Sequence, residues 1–159
     1  MTKDNASDVM HLLHRAGQCA DNIYAKALNE SHLSPRQAQV LSVIGAEGSL
    51  SQTDVVELTG IDRSTTGDII KRLVRDDYLQ RERAMQDARK YDVRLTSRGY
   101  KALGVAERAE IESEMELLNA ISDRDREKFL KSLAAIVEHF GPIKTARTPL
   151  MNRMRPTTR

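Results

Sequence analysis

The sequence predicts a mainly α-helical chain interrupted once by a small β-hairpin. Three observations carry that prediction. Apolar residues recur at three- and four-residue spacing along most of the chain. Aromatic residues make up only 4% and Trp is absent, so Leu, Ile, Val and Met must fill the core, a mixture that favours helices over a β-sandwich. After Tyr78 alone the pattern changes from helical to alternating. At 159 residues the chain has the length of one domain able to bury its own core.

The first helix is expected to begin near Ser7 or Asp8. Val9, Leu12, Leu13, Ala16, Cys19, Ala20, Ile23 and Ala27 form its apolar stripe. A second helix has an explicit start: Ser34 as N-cap, Pro35 in the first turn and Gln37 closing a capping box, with Gly48 as the stop. Ser51, with Asp54 at the box position, opens a short helix that Gly60 ends. Asp62 then caps a longer basic helix with Ile69, Ile70, Leu73 and Val74 inward. A helix of about two turns, a tight glycine turn and a longer basic helix is the spacing of a helix-turn-helix.

The segments YLQRERA and YDVRL read as the strands of a hairpin, with MQDARK as the polar connection between them. Thr96 caps a long helix from Ser97 to about Ala120. Ser122 with Asp125 caps a last helix carrying Phe129, Leu130, Leu133, Ile136, Val137 and Phe140, which Gly141-Pro142 ends. The full expectation is a winged helix-turn-helix core over residues 35–96, dimerisation helices at 1–34 and 97–141, and a basic, flexible tail at 142–159. The terminal helices are long and amphipathic with little chain of their own to cover them. Pairing with a second copy is the simplest way to bury their stripes.

Charge is segregated behind a formal net value of +2. Residues 63–98 hold ten Lys and Arg against six Asp and Glu, and residues 141–159 hold five basic residues and no acid. A basic middle and tail on an acidic body point to a local polyanion-binding face. Cys19 is the one cysteine, which rules out an intrachain disulfide and fits a reducing compartment. The polar first residues lack a signal-peptide core, and no apolar run approaches the ~18 residues of a membrane span, so a cytoplasmic chain is expected. No nucleophile elbow, P-loop or dinucleotide fingerprint is present, so no enzyme and no cofactor are expected.

The most specific motif is DARKYDVRLTSRG. Asp87, Arg89, Leu95, Thr96 and Gly99 occupy every fixed position of D-x-R-x-x-x-x-x-L-T-x-x-G, the wing signature of the multiple-antibiotic-resistance regulator (MarR) family. TGIDRSTTGDIIKRLVRDDYLQR, from Thr59 to Arg81, resembles the recognition-helix segment of the same family, and the order of elements agrees from about Val9 to Phe140. The resemblance implies a ligand-responsive homodimeric transcription regulator. Each subunit would place the helix after Asp62 in a major groove and its wing in the flanking minor groove of a pseudo-palindromic operator. Repression is the expected direction, since a dimer sitting on a promoter blocks polymerase without further parts.

The residues agree with that docking. Arg63, Ser64, Thr65 and Thr66 stand at the N-terminus of the basic helix, where side chains reach base edges and backbone N–H groups meet phosphate. Lys71, Arg72 and Arg75 lie further along and suit phosphates. Asp68 opposes this unless it pairs with Lys71 or Arg72. In the wing, Arg89 is the candidate for minor-groove insertion, since a narrow A·T-rich groove concentrates negative potential. Asp87 would orient it, and Arg81, Arg83, Lys90 and Arg94 would lie within reach of phosphate. For each wing cation singly, a solvated surface is the alternative.

The resemblance also implies a small-molecule site between the first two helices, the long fifth helix and the winged core. His11, His14, Arg15 and Arg36 are the candidates to meet an anion there, Arg36 with the help of a helix N-terminus. An aromatic acid or its CoA thioester is the expected effector class, and partly exposed interface residues are the alternative. Cys19 invites a redox-sensor reading, as in family members that sense peroxide through one cysteine. Its place on the apolar stripe, with Tyr24 on a different face, instead favours a buried structural thiol. Cys19 and the four histidines form no familiar ligand spacing, so no metal is expected. The rival from another class is a winged helix that docks proteins, which the basic residues of the helix and wing disfavour.

Overall fold

A computed structural model describes residues 3–28, 31–84 and 87–140, with side chains over 8–28, 31–83 and 91–140. The order is α1 (Lys3–Ala27), α2 (Pro35–Glu47), β1 (Leu50–Ser51), α3 (Gln52–Thr59), α4 (Arg63–Arg75), β2 (Leu79–Ala84), β3 (Asp87–Leu95), α5 (Ser97–Asn119) and α6 (Asp123–Phe140). This is the mainly α, winged helix-turn-helix arrangement the sequence predicts. The tail at 142–159 lies outside the described residues. Among the described residues, no helix is long and apolar enough to cross a membrane.

Local chemistry sets the helix starts. At α2 the Ser34 hydroxyl accepts from the Gln37 N–H while the Gln37 side chain accepts from the Ser34 N–H at 2.8 Å, and Pro35 needs no partner for an N–H it lacks. Ser51 and Asp54 make the same reciprocal box at α3. Gly60 ends α3 in the left-handed region at φ 69°, a conformation that favours glycine, and the chain turns there into α4.

Three boundaries differ from the expectation. Helix α1 starts at Lys3 rather than near Ser7, because apolar spacing marks the packing stripe while polar residues can extend a helix beyond it. The expected connection MQDARK is mostly strand, since β3 begins at Asp87 and Ala84 pairs with Asp87 across a register irregularity after Arg83. A third strand, β1, had no signal in two residues; it pairs antiparallel with β3, Leu50 opposite Val93 and Ser51 opposite Asp92, giving the order β1-β3-β2.

The core sits beneath α2, α3, α4 and the sheet. Val40, Leu41, Ile44, Val55 and Leu73 are fully buried in it, joined by Leu79, Val93 and Leu95 from the strands. Truncating Leu41 or Leu73 to Ala would cost ~2–5 kcal/mol. A second, smaller cluster of Leu28, Ala38, Ala106 and Ala109 seats α1 and α2 against α5, with Tyr24 packed on it. The ends of the molecule are different. Val9, Met10, Leu12 and Leu13 of α1 are exposed, and so are Leu133, Ile136, Val137 and Phe140 of α6, a helix with no buried residue.

Candidate nucleic-acid interface and adjoining cleft

Helix α4 divides into two faces. Thr66, Ile69, Ile70 and Leu73 are buried, while Ser64, Asp68, Lys71, Arg72 and Arg75 line the outward side at helical spacing. Its N-terminus is held from two directions. The Asp62 carboxylate accepts from the Thr65 N–H at 2.9 Å, the N-cap bond. From α3, the Gln52 side-chain amide donates to the Arg63 carbonyl at 3.1 Å, and Gly67 leaves the space in which Gln52 lies. The exposed Arg63 guanidinium reaches the Thr53 hydroxyl at 3.4 Å.

Of the four residues expected at the reading end, Arg63 and Ser64 are exposed and Thr65 is half-buried. Thr66 requires a correction. Its side chain is fully buried and its hydroxyl donates to the Ile61 carbonyl at 3.2 Å, so it faces the core rather than a groove. The spacing Thr66, Ile69, Ile70, Leu73 is the signal that would have placed it there. Hydrogen bonds from Thr65, the hydroxyl first and the backbone N–H next, hold the Asp62 carboxyl below its ordinary range; desolvation partly opposes this, and Arg36 adds a smaller push.

Lys71 and Arg72 are both exposed. Lys71 pairs with Asp68 at 3.2 Å, which is the pairing that lets an acid stand on this face. Arg75 pairs with Asp76 at 2.8 Å. In the wing, the face that buries Leu79, Val93 and Leu95 at its base carries exposed Arg81 and Arg83 further out. Arg94 lies on the other face and pairs across the strands with Glu82 at 2.7 Å. Asp87, Arg89 and Lys90 belong to β3, but their side chains lie outside the described ones.

Beside the helix-turn-helix lies a cleft of about 700 Å³, walled by α1, α2, the turn from Leu58 to Asp62 and α5. Arg36 lines it. His11, His14 and Arg15 are exposed on α1 and are not among its lining residues. The structure brings in residues that periodicity did not single out: Asp21 and Tyr24 from α1, Gln39 from α2 and Glu110 from α5. The Tyr24 hydroxyl donates to the Ala106 carbonyl at 3.4 Å, and burial, with Glu110 adding to it, pushes its pKa up to about 12. The Gln39 amide donates to the Thr59 carbonyl at 3.3 Å, joining α2 to the turn. Cys19, expected to be buried, is exposed, because among the described residues only the C-terminal end of the stripe, near Ala27, is covered, while Val9, Leu12 and Cys19 itself stay exposed.

The sequence model of the MarR family matches residues 32–90, which span α2 to the first half of β3. The HTH-type transcriptional regulator PecS of Dickeya dadantii is 23% identical over 134 residues, covering 82% of this chain and 81% of PecS. Among solved structures, Bordetella bronchiseptica BpsR, whose DNA binding is regulated by 6-hydroxynicotinic acid, is 27% identical with a TM-score of 0.77; the match covers 82% of this chain and 93% of BpsR. A mutant MarR of E. coli complexed with operator DNA shares the fold at a TM-score of 0.78 and 17% identity, over 84% of this chain and 96% of that one. The helix-turn-helix and much of the wing thus lie inside a segment that matches the MarR family, and the helical frame around them is similar to that of these transcription regulators.

Proposed function

We propose that two copies pair through α1, α5 and α6, that the dimer represses by occupying a pseudo-palindromic operator, and that a small aromatic acid in the cleft releases it. The observation that carries the DNA reading is the first turn of α4. Arg63 and Ser64 project to solvent there from a helix end braced by Asp62 and Gln52, with Lys71 and Arg72 further along the same surface. Residues 35–96 are then the DNA-binding unit, and the segments on either side are the dimerisation unit. Arg81, Arg83, Lys90 and Arg89 of the wing engage the flanking minor groove and its phosphates, with Asp87 orienting Arg89.

The dimer reading rests on apolar faces that the protomer leaves uncovered: Val9, Leu12 and Leu13 on α1, and Leu133, Val137 and Phe140 on α6, Phe140 being 80% exposed. The effector reading rests on Arg36 in the cleft and on the likeness to BpsR, whose DNA binding responds to an aromatic acid. The test combines sedimentation of the full chain with binding to operator fragments from its own promoter region. A dimer is expected at micromolar concentration, with Leu133→Asp aggregated or unfolded, and operator affinity is expected to fall when an aromatic acid is added. A well-folded wild-type monomer that retards no DNA at low salt would reject the reading.

A further inference from the structure

Resting on the DNA reading above, we propose that the base of the wing meets DNA with one face only, and that Tyr91 joins Arg81 and Arg83 there as a phosphate contact. Register places these residues together. Leu79, Arg81 and Arg83 alternate along β2 opposite Leu95, Val93 and Tyr91 of β3, so the six side chains share one face. Leu79, Val93 and Leu95 are buried in the core, whereas Tyr91, two residues beyond Val93, is 53% exposed. The third strand stops at the same point. Strand β1 pairs with β3 at Val93 and Asp92, and from Tyr91 outward β3 has β2 alone beside it. An aromatic ring thus opens to solvent directly opposite Arg83, where the hairpin leaves the body.

Charge separates the two faces. Among the described residues, no acid pairs with Arg81 or Arg83. The opposite face carries Gln80, Glu82, Asp92 and Arg94, and Glu82 holds the Arg94 guanidinium at 2.7 Å. Among these described side chains, two carboxylates outweigh one guanidinium on that side, while two guanidiniums flank Tyr91 on the other. Only the second arrangement attracts a phosphate strand. Placement agrees with charge. The face of Tyr91 continues the one that buries Leu79 and Val93 against Ile69, Ile70 and Leu73 of α4. With α4 in a major groove and the wing in the flanking minor groove, one phosphate strand separates the two. That strand passes the α4 side of the hairpin. Arg81 and Arg83 meet its charge, and the Tyr91 hydroxyl donates a hydrogen bond to a phosphate oxygen without adding charge.

Full-length protein titrated with a duplex from its own promoter region, across a salt series, tests this. Arg81→Gln and Arg83→Gln should each weaken binding and lower the magnitude of the salt slope by about one unit. Tyr91→Phe keeps the ring and loses only the hydroxyl. It is expected to weaken binding about tenfold at an unchanged slope, as for one hydrogen bond to a charged group. Glu82→Gln combined with Arg94→Gln keeps the net charge and should bind like wild type. Wild-type affinity and slope in both single arginine variants, or an equal loss in the Glu82 and Arg94 double variant, overturns the choice of face. Wild-type affinity in Tyr91→Phe overturns the tyrosine contact. Both results leave the DNA reading standing, whereas a wild-type protein that binds no duplex at low salt defeats that reading and the proposal together.

Discussion

The Thr96 hydroxyl donates to the Asp77 carbonyl at 2.6 Å and thereby ties the end of the reading helix to the start of α5. Asp77 sits in the left-handed region at φ 63°, where the chain leaves α4, and the Thr96 N–H holds the next carbonyl, that of Tyr78, at 3.1 Å. The same Thr96 oxygen accepts from the Gly99 N–H at 3.0 Å, capping α5. Gly99 in turn lies against the Tyr78 carbonyl so closely that a Cβ would collide with backbone. The threonine and glycine of the wing motif are thus one joint between helix, wing and α5.

Substitutions at this joint should separate its two parts. Thr96→Val keeps the shape and loses the hydroxyl, and is expected to cost ~1–2 kcal/mol through the cap and the Asp77 bond. Gly99→Ala forces backbone to move and is expected to cost ~1–3 kcal/mol. Both should lower the urea midpoint without changing the slope. An unchanged midpoint for Gly99→Ala would mean that Tyr78 gives way freely, and that the glycine is not required by packing.

Adjacent threonines of α4 should behave oppositely. Thr66 is buried with its hydroxyl on the Ile61 carbonyl, so Thr66→Val should lower stability by ~1 kcal/mol while the folded fraction binds operator as tightly as wild type. Thr65→Ala should instead alter base preference in the core half-site and leave the salt dependence of binding nearly intact. Melting curves and binding to operators with altered cores distinguish them. Loss of base discrimination in Thr66→Val alone would place the reading face on the wrong side of the helix.

Features written in neighbouring residues were legible in the sequence; convergent ones were not. The caps at Ser34, Ser51, Asp62 and Thr96 are three-residue chemistry, and the structure forms each of them. Strand β1 exists because Leu50 and Ser51 meet Val93 and Asp92, more than forty residues on, and nothing local announces it. The cleft is of the same kind. Tyr24, Gln39 and Glu110 come from three helices, and periodicity tells which way each faces but not what it meets. Cys19 was misplaced for a related reason: an apolar stripe tells that a face seeks cover, not that the same chain provides it.

Acid should loosen the reading helix through Asp62. Bonds from Thr65 hold its folded-state pKa below the unfolded value, so the stabilising effect is complete above the ordinary carboxylate range. It is lost as pH falls through that range toward the lowered folded value. Asp62→Asn retains an acceptor for the Thr65 N–H and should match wild type at neutral pH, yet lose this part of the acid sensitivity. Asp62→Ala should lower the melting temperature at neutral pH as well. Urea unfolding from pH 7 to 3 reads the difference. Identical pH profiles for wild type and Asp62→Asn would show that the cap's charge contributes nothing.

The wing motif from Asp87 to Gly99 places Arg89 on strand β3. The hairpin extends beyond the base formed by Leu79, Val93 and Leu95, and Arg89 stands early in β3, the central strand of the sheet, on the part that pairs with β2 alone. An arginine there suits a narrow minor groove, whose potential is most negative over A·T-rich flanks. Arg89→Ala should therefore weaken operator binding and reduce the magnitude of the salt slope by about one unit, as for a single lost phosphate-region contact. The loss should be larger on operators with A·T-rich flanks than on those with G·C-rich flanks, and indifferent to changes in the core half-sites. The two half-sites should lie about one helical turn apart, so that both α4 helices of the dimer meet one side of the duplex. Binding across a salt series, on operators varied separately in core and flank, measures all of this at once. If Arg89→Ala keeps wild-type affinity and slope on every flank, the wing does not enter the minor groove, and α4 must carry the recognition alone.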